Sequence, residues 1–342
     1  MQLAHGESLL GCNTLGLAAS AHSLATVETL DELRSALEWA ASRELAVVPL
    51  GEGSNVVLGG ELDALVLRQL GRGIQVLGEE AGRVTLRVAA GENWHELVCW
   101  TLQQGYFGLE NLALIPGTAG AAPIQNIGAY GVELERFIEQ VQAVDILTGA
   151  SRSFDRGQCK FSYRDSVFKQ AERDRVVITC VDLCLSLTPE PVLDYPALAA
   201  ELGRRELSAP TPRDVFEAVV AIRSARLPDP EREPNAGSFF KNPQLSAATS
   251  EELAGRFPAL PRYPQADGRV KLPAAWLIDY CGWKGQRREG VCVHPEHALV
   301  LVNYGANDAG ALLSLAADIR ASVENTFGIS LEMEPRVYGV AT

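Results

Sequence analysis

Gly51-Glu-Gly-Ser-Asn55 stands between two short apolar runs, Ala46-Val-Val-Pro-Leu50 and Val56-Val-Leu58. The pattern reads as strand, glycine loop, strand. Two glycines after a strand let backbone amides approach a diphosphate closely, and a serine hydroxyl adds a donor. The spacing invites a dinucleotide-binding turn of the doubly wound kind, but that turn needs a third glycine and a following helix whose N-terminus faces the phosphates. Val56 occupies the place of the third glycine, and the residues after it favour a strand. On spacing alone, a phosphate loop and an ordinary tight turn are equally good readings.

Downstream lies a second glycine-rich stretch, Ile115-Pro-Gly-Thr118 through Ala122-Pro-Ile-Gln-Asn-Ile-Gly-Ala-Tyr-Gly131. It carries few charges and interleaves Ile and Ala, which argues against a solvated loop, and connections of this length inside a compact domain are usually functional. Its backbone donors and the Gln125 and Asn126 amides suit a ligand with a diphosphate and a polar ring edge. The surrounding elements are mixed. Thr29-Leu-Asp-Glu32 is a capping box ahead of Leu30, Leu33, Leu37 and Ala40 at helical spacing. Asn93 caps a helix that Gly105 ends, and Thr211-Pro212 opens another with Val215, Val219 and Ile222 on its apolar face. Leu312, Leu315, Ile319, Val323 and Phe327 form one helix face closed by Gly328. Val84 to Ala90 and Val177 to Leu185 alternate as strands, and a further strand is expected from Ile329 to Tyr338. There is no strict strand–helix–strand rhythm, so the fold class expected is α+β. Pro228, Pro230 and Pro234 place a domain boundary near residue 225.

The chain of 342 residues is long enough for two or three domains, and 47% hydrophobic and 21% charged residues are ordinary for a globular protein. A formal charge of −13 speaks against nucleic acid or a membrane as partner, so an anionic ligand would need a local basic pocket. Seven cysteines at scattered positions, with no CxxC pair, read as reduced structural thiols. His294-x-x-His297 lacks an obvious third ligand, so no metal is expected. No basic leader with a long apolar core and no long apolar run is visible, so a cytoplasmic protein is expected.

Six further motifs carry a resemblance across almost the whole chain, from about Asn13 to Arg336. They are Asn13-Thr-Leu-Gly16, Gly91-Glu-Asn-Trp94, Gly108-Leu-Glu-Asn-Leu112, Tyr163-Arg-Asp-Ser166, Asn235-Ala-Gly-Ser-Phe-Phe-Lys-Asn-Pro243 and Tyr263-Pro-Gln-Ala-Asp-Gly268. With the two glycine stretches they resemble the UDP-N-acetylenolpyruvoylglucosamine reductase family, type I. The resemblance implies a two-part FAD-binding domain of the vanillyl-alcohol oxidase/PCMH type plus a smaller α+β substrate-binding domain. The first part would be 1–70, completed by a C-terminal strand 329–342, the second 71–224, and the substrate domain 225–328. It also implies noncovalent FAD, NADPH as hydride donor, and reduction of UDP-N-acetylglucosamine enolpyruvate to UDP-N-acetylmuramate, a cytoplasmic step of peptidoglycan precursor synthesis. The partners would be these small molecules, and a monomer is expected.

Carried over residue by residue, the flavin would be held by Gly51, Gly53, Ser54 and Asn55, by Ile115, Pro116, Gly117 and Thr118, and by Pro123, Gln125, Asn126, Gly128, Ala129, Tyr130 and Gly131. The sugar nucleotide would meet Tyr195, Arg226, Asn242, Tyr263, Lys284 and His297. Arg226 stands where the family pattern has lysine, and His297 where it varies. Hydride addition to the enolpyruvyl methylene develops negative charge on the neighbouring carbon and its carboxylate. A cation or acid is then needed at the carboxylate and a proton donor at the carbon. The resemblance gives Arg164 and Glu334 the first task and Ser238 the second. Glu334 matches better than Glu332. Spacing alone puts Glu332, Glu334 and Arg336 on one strand face, and on spacing alone a solvated edge strand is the favoured reading. The competing readings are an FAD oxidase of the same fold, although neither glycine stretch offers a His or Cys to tether flavin, and a catalytically inactive nucleotide-binding module.

Overall fold

Side-chain caps fix the helix starts. Thr29 accepts from the Glu32 N–H at the head of the helix Leu30–Ala41, and Asn93 accepts from the Glu96 N–H at the head of Trp94–Gln104. Gly105 and Gly328 end their helices in the left-handed conformation, with φ of 77° and 70°. The computed structural model describes residues 1–340. Positions 341 and 342 of the expected C-terminal strand lie outside the described residues.

The residues group into two compact units. The first comprises residues 1–7, 21–53 and 62–225. It holds a four-stranded sheet in the order Gln2–Ser8, Ser20–Val27, Glu61–Gln69, Ala46–Leu50, whose last pair is parallel. Leu33, Ala36, Leu37 and Ala40 of the helix Leu30–Ala41 bury against Ala25, Val27, Val47, Leu65 and Leu67 of that sheet. A five-stranded antiparallel sheet runs in the order Ser151–Asp155, Ile138–Asp145, Val176–Ser186, Arg83–Ala89, Ile74–Glu80. Its apolar face packs on the helices Trp94–Gln104 and Pro212–Arg226 through Val84, Leu86, Val88, Leu97, Val215 and Val219. Arg87 and Asp182 pair across it with two hydrogen bonds of 2.8 and 2.7 Å.

The second unit comprises residues 8–20, 54–61 and 226 onward. An antiparallel sheet in the order Asn235–Ser238, Val300–Asn303, Val291–Val293, Arg287–Arg288 packs on the helix Ala309–Phe327. The strand Val56–Leu58 after the glycine loop pairs in parallel with Arg336–Tyr338. The expected strand from Ile329 is therefore shorter. Ile329 and Leu331 are buried in the core, Met333 makes an isolated bridge to Phe240, and Pro335, without an N–H, separates that bridge from the pair at Arg336–Tyr338. None of the seven cysteines forms a disulfide among the described residues.

The chain passes close to itself at Gly91. A Cβ there would lie 2.5 Å from the Gly71 carbonyl oxygen and 2.8 Å from the Leu70 carbonyl carbon. Gly91→Val should lower stability by about 1–3 kcal/mol by forcing these segments apart, read as a thermal midpoint several degrees lower. An unchanged midpoint would contradict the packing described.

Candidate active site

The two glycine stretches meet within the first unit, and a carboxylate between them makes the junction. Glu52 Oε1 accepts from Asn93 Nδ2 at 2.6 Å, and Oε2 accepts from the Gly117 N–H at 2.8 Å. Asn93 thus caps its helix with one amide atom and grips the glycine loop with the other. The Trp94 N–H donates to the Gly117 carbonyl at 2.9 Å, and Asn93 and Thr118 form a bridge. Both polar groups of Gly117 are therefore engaged inside the protein. What this residue offers a ligand is close approach at a φ of 111°. At Gly51 a Cβ would sit 3.0 Å from Thr118 Oγ1. Ser54 and Asn55 belong to the second unit, where the Asn55 carbonyl accepts from the Arg336 N–H at 3.2 Å.

Pro116 is exposed, Ile115 and Thr118 are half-buried, and the stretch then turns inward through a 3-10 turn at Ala122–Gln125. Pro123 is buried there and Gln125 half-buried. Asn126 is fully buried with a left-handed φ of 44°. Its Nδ2 donates to Glu133 Oε2 and the Ser162 carbonyl at 3.1 and 3.2 Å, and its Oδ1 accepts from the Glu135 N–H at 2.9 Å. Ser162 opens the tight turn that carries Arg164, because Ser162 and Asp165 exchange both backbone hydrogen bonds, each 3.1 Å. Arg164 itself has a φ of 55°, and its guanidinium donates to the Gly128 carbonyl at 2.6 Å. Ser166 Oγ closes the motif onto the same stretch by donating to the Ile124 carbonyl at 2.6 Å. Gly128 and Ala129 are half-buried in a short strand, with Tyr130 and the exposed Gly131 beyond. Tyr130 packs edge-on against Tyr195, ring centroids 5.3 Å apart. The Tyr130 carbonyl accepts from Asn111 Nδ2 at 2.9 Å.

Sequence reasoning missed Glu52, Asn93 as a loop ligand, Asn111 and Arg223. Glu52 and Asn111 sit inside quoted motifs, but nothing in their spacing shows which distant backbone groups they serve. Arg223, from the helix Pro212–Arg226, donates to the Leu114 carbonyl at 3.2 Å and hydrogen-bonds Tyr130. Burial pushes its guanidinium below the usual range, with Tyr130 opposing and nearby Arg164 adding to the effect. Two guanidinium groups close to one another, one of them desolvated, favour an anionic ligand.

In the second unit Ser238 and Glu334 lie on neighbouring segments. Ser238 ends the strand Asn235–Ser238, and the next residue, Phe239, accepts from the Glu334 N–H at 2.9 Å. Buried Asn235 shapes this strand end, its Oδ1 accepting from the Gly237 N–H at 2.8 Å and setting Gly237 at a φ of 67°. Glu332 points elsewhere. Its carboxylate is exposed and paired with Lys241, whereas Glu334 is half-buried. Arg226, Lys284 and His297 cluster electrostatically. Burial pushes the His297 imidazole down, and His294, Arg226 and Lys284 each push it further. Its Nδ1 is buried without a hydrogen-bond partner among the described residues. Asn242 Oδ1 accepts from the Ala274 N–H at 2.8 Å at the head of the helix Ala274–Tyr280. Tyr263 is exposed on a short strand opposite Lys271. Tyr195, the remaining member of the sugar-nucleotide set, belongs to the first unit.

Residues 21–153 match the FAD binding domain family, and residues 229–338 match the UDP-N-acetylenolpyruvoylglucosamine reductase C-terminal domain family. The FAD binding domain match and the mixed helix and strand content define an FAD-dependent oxidoreductase of α+β class, with an FAD-binding domain of the vanillyl-alcohol oxidase/PCMH type. The chain is 46% identical over 338 residues to the UDP-N-acetylenolpyruvoylglucosamine reductase of Pseudomonas aeruginosa, covering 99% of each chain. It is 48% identical over 325 residues to that of Paraburkholderia phymatum, covering 94% of each. The crystal structure of UDP-N-acetylenolpyruvylglucosamine reductase from Thermus caldophilus superposes with a TM-score of 0.68 at 25% identity, covering 99% of this chain and 98% of that one. This chain belongs to the UDP-N-acetylenolpyruvoylglucosamine reductase family.

Asn126 links the glycine-rich stretch to the turn bearing Arg164. Asn126→Ala removes three part-buried hydrogen bonds and should lower stability by about 2–4 kcal/mol. If Arg164 acts on substrate, kcat should fall with it. A variant of unchanged melting midpoint and kcat would contradict this placement.

Proposed function

We propose that the protein reduces UDP-N-acetylglucosamine enolpyruvate to UDP-N-acetylmuramate with NADPH as the hydride donor, as a step of peptidoglycan precursor synthesis in the cytoplasm. The single observation that supports the reading is the backbone hydrogen bond from the Glu334 N–H to the carbonyl of Phe239, the residue after Ser238, which sets the segments bearing the hydroxyl and the carboxyl side by side across 96 residues of sequence. Noncovalent FAD supplies the hydride chemistry. The glycine cradle of 51–55 and 115–131 holds it, residues 1–70 and 71–224 providing its two parts with help from the C-terminal segment. Residues 225–328 bind the sugar nucleotide.

Within this reading the chain's own groups have distinct tasks. Arg164 neutralises the substrate carboxylate as charge spreads into it, with Glu334 sharing a proton there. Ser238 hands its proton to the carbon left electron-rich by hydride addition. A serine hydroxyl is a weak acid, but that carbon is a strong enough base to take the proton. Arg226, Lys284 and His297 form the local basic pocket that an acidic protein needs for a diphosphate, and Asn242, Tyr263 and Tyr195 orient the rest of the nucleotide sugar. The chain is proposed to act as a monomer without nucleic acid or membrane partners. No helix among the described residues is long and apolar enough to cross a membrane.

Purified protein should be yellow and should oxidise NADPH only when the enolpyruvyl sugar nucleotide is present. Ser238→Ala should lower kcat by about 10²–10⁴-fold while retaining flavin. Full turnover in that variant would refute the proton-donor assignment.

His297 gives a pH test with a defined sign. Its imidazole is held below the usual value of 6.5 in the free protein, so it is neutral near neutral pH, and an anion beside it would raise its pKa. The KM for the sugar nucleotide should therefore fall as pH drops from about 8 towards about 6. His297→Gln should flatten that dependence. An identical profile in the variant would remove His297 from the site.

A further inference from the structure

Leu114 is the residue immediately before Ile115-Pro-Gly-Thr118, and it has a left-handed φ of 57° without being glycine. Side chains from two helices hold its backbone. Its N–H donates to His95 Nδ1 at 3.1 Å, and its carbonyl accepts from Arg223 Nε at 3.2 Å. A β-carbon disfavours this conformation, so an external constraint on both sides of the residue is what keeps it populated. His95 is itself fixed. Its ring lies parallel to Phe216 with centroids 5.6 Å apart, and its Nε2 is 3.8 Å from Cys99 Sγ. Accepting from an N–H requires Nδ1 to be unprotonated, so the ring hydrogen lies on Nε2, beside the sulfur.

We propose that His95 is a positioning residue for the flavin loop, holding Leu114 in its left-handed turn and thereby setting the path of Ile115–Thr118, and that it does so only while Nδ1 is unprotonated. The inference rests on reading Ile115–Thr118 as part of the flavin cradle. A second proton on the ring puts two donors face to face, and the turn loses one of its two ties. The groups facing the imidazole are Glu96 and Cys99 from its own helix and Arg223 and Phe216 from the helix Pro212–Arg226. Burial is the main influence keeping the ring neutral, Glu96 opposes it, and Arg223 supports it. A depressed folded-state pKa means that the neutral ring's contribution is fully present above about pH 6.5 and is lost as pH falls below that value.

The test is FAD binding to apoprotein, followed by flavin fluorescence at about pH 7.5 and about pH 5.5, with thermal midpoints recorded alongside. Wild type should bind about tenfold more weakly at the lower pH. His95→Asn places an amide oxygen where Nδ1 was and cannot titrate, so it should bind as wild type at the higher pH and keep that affinity at the lower. His95→Leu should bind weakly at both. Equal affinity of His95→Leu and wild type, or a wild-type pH dependence in His95→Asn, overturns the proposal, and the second comparison holds even if the leucine variant folds poorly. Gly117→Val separates the two ideas. If it binds FAD normally while His95→Leu does not, the loop assignment fails and His95 does not act through it. If both weaken binding, both stand.

Discussion

One carboxylate organises the cofactor side of this protein. Glu52 takes a hydrogen bond from Asn93 Nδ2 with one oxygen and from the Gly117 backbone with the other, so both oxygens hold a separate stretch of chain in place. Charge-assisted hydrogen bonds of this kind are stronger than neutral ones. They leave a loop of glycines rigid where glycine would otherwise be the most mobile residue available. The turn Gly51–Gly53, the head of the helix Trp94–Gln104 and the stretch 115–118 are positioned relative to one another through this group. Both oxygens of this carboxylate are turned onto protein donors.

Farther along the same stretch, side chains hold backbone by similar means. Asn126 ties the stretch to the turn of Arg164, Ser166 returns the motif to Ile124, and Arg223 with His95 pins Leu114. Four residues here, Leu114, Asn126, Tyr130 and Arg164, adopt left-handed backbone without being glycine. Such conformations persist where surrounding bonds over-determine them, and they concentrate at functional sites. In the second unit the arrangement is simpler. A short antiparallel contact places Glu334 beside the chain that follows Ser238, and cations gather around His297 in a chain whose overall charge is −13.

The sequence revealed the fold class because local signals agreed with one another. Val56 in place of a third glycine, followed by an apolar strand, argued against a doubly wound sheet, and the chain does form a strand at Val56–Leu58. Thr29, Asn93 and Gly105 marked helix ends through bonds made within a few residues. The C-terminal strand was overdrawn, since apolar alternation at Ile329, Leu331 and Met333 describes burial in the core as well as it describes a strand. What could not be read was the wiring. The partners of Glu52 lie 41 and 65 residues away and that of Arg223 lies 109 away, and no periodicity links positions so far apart. Resemblance supplied candidate site residues because it compares whole motifs, but it did not reach Glu52 or Arg223, whose role is to hold backbone.

The most direct test of this account is the FAD dissociation constant of Glu52→Ala measured on refolding-competent apoprotein. Removing the carboxylate leaves Asn93 and the Gly117 N–H without their acceptor, so flavin affinity should fall by about tenfold or more while the apoprotein's secondary structure is kept. FAD binding indistinguishable from wild type would show that the two glycine stretches do not depend on this group for their placement, and would contradict the account.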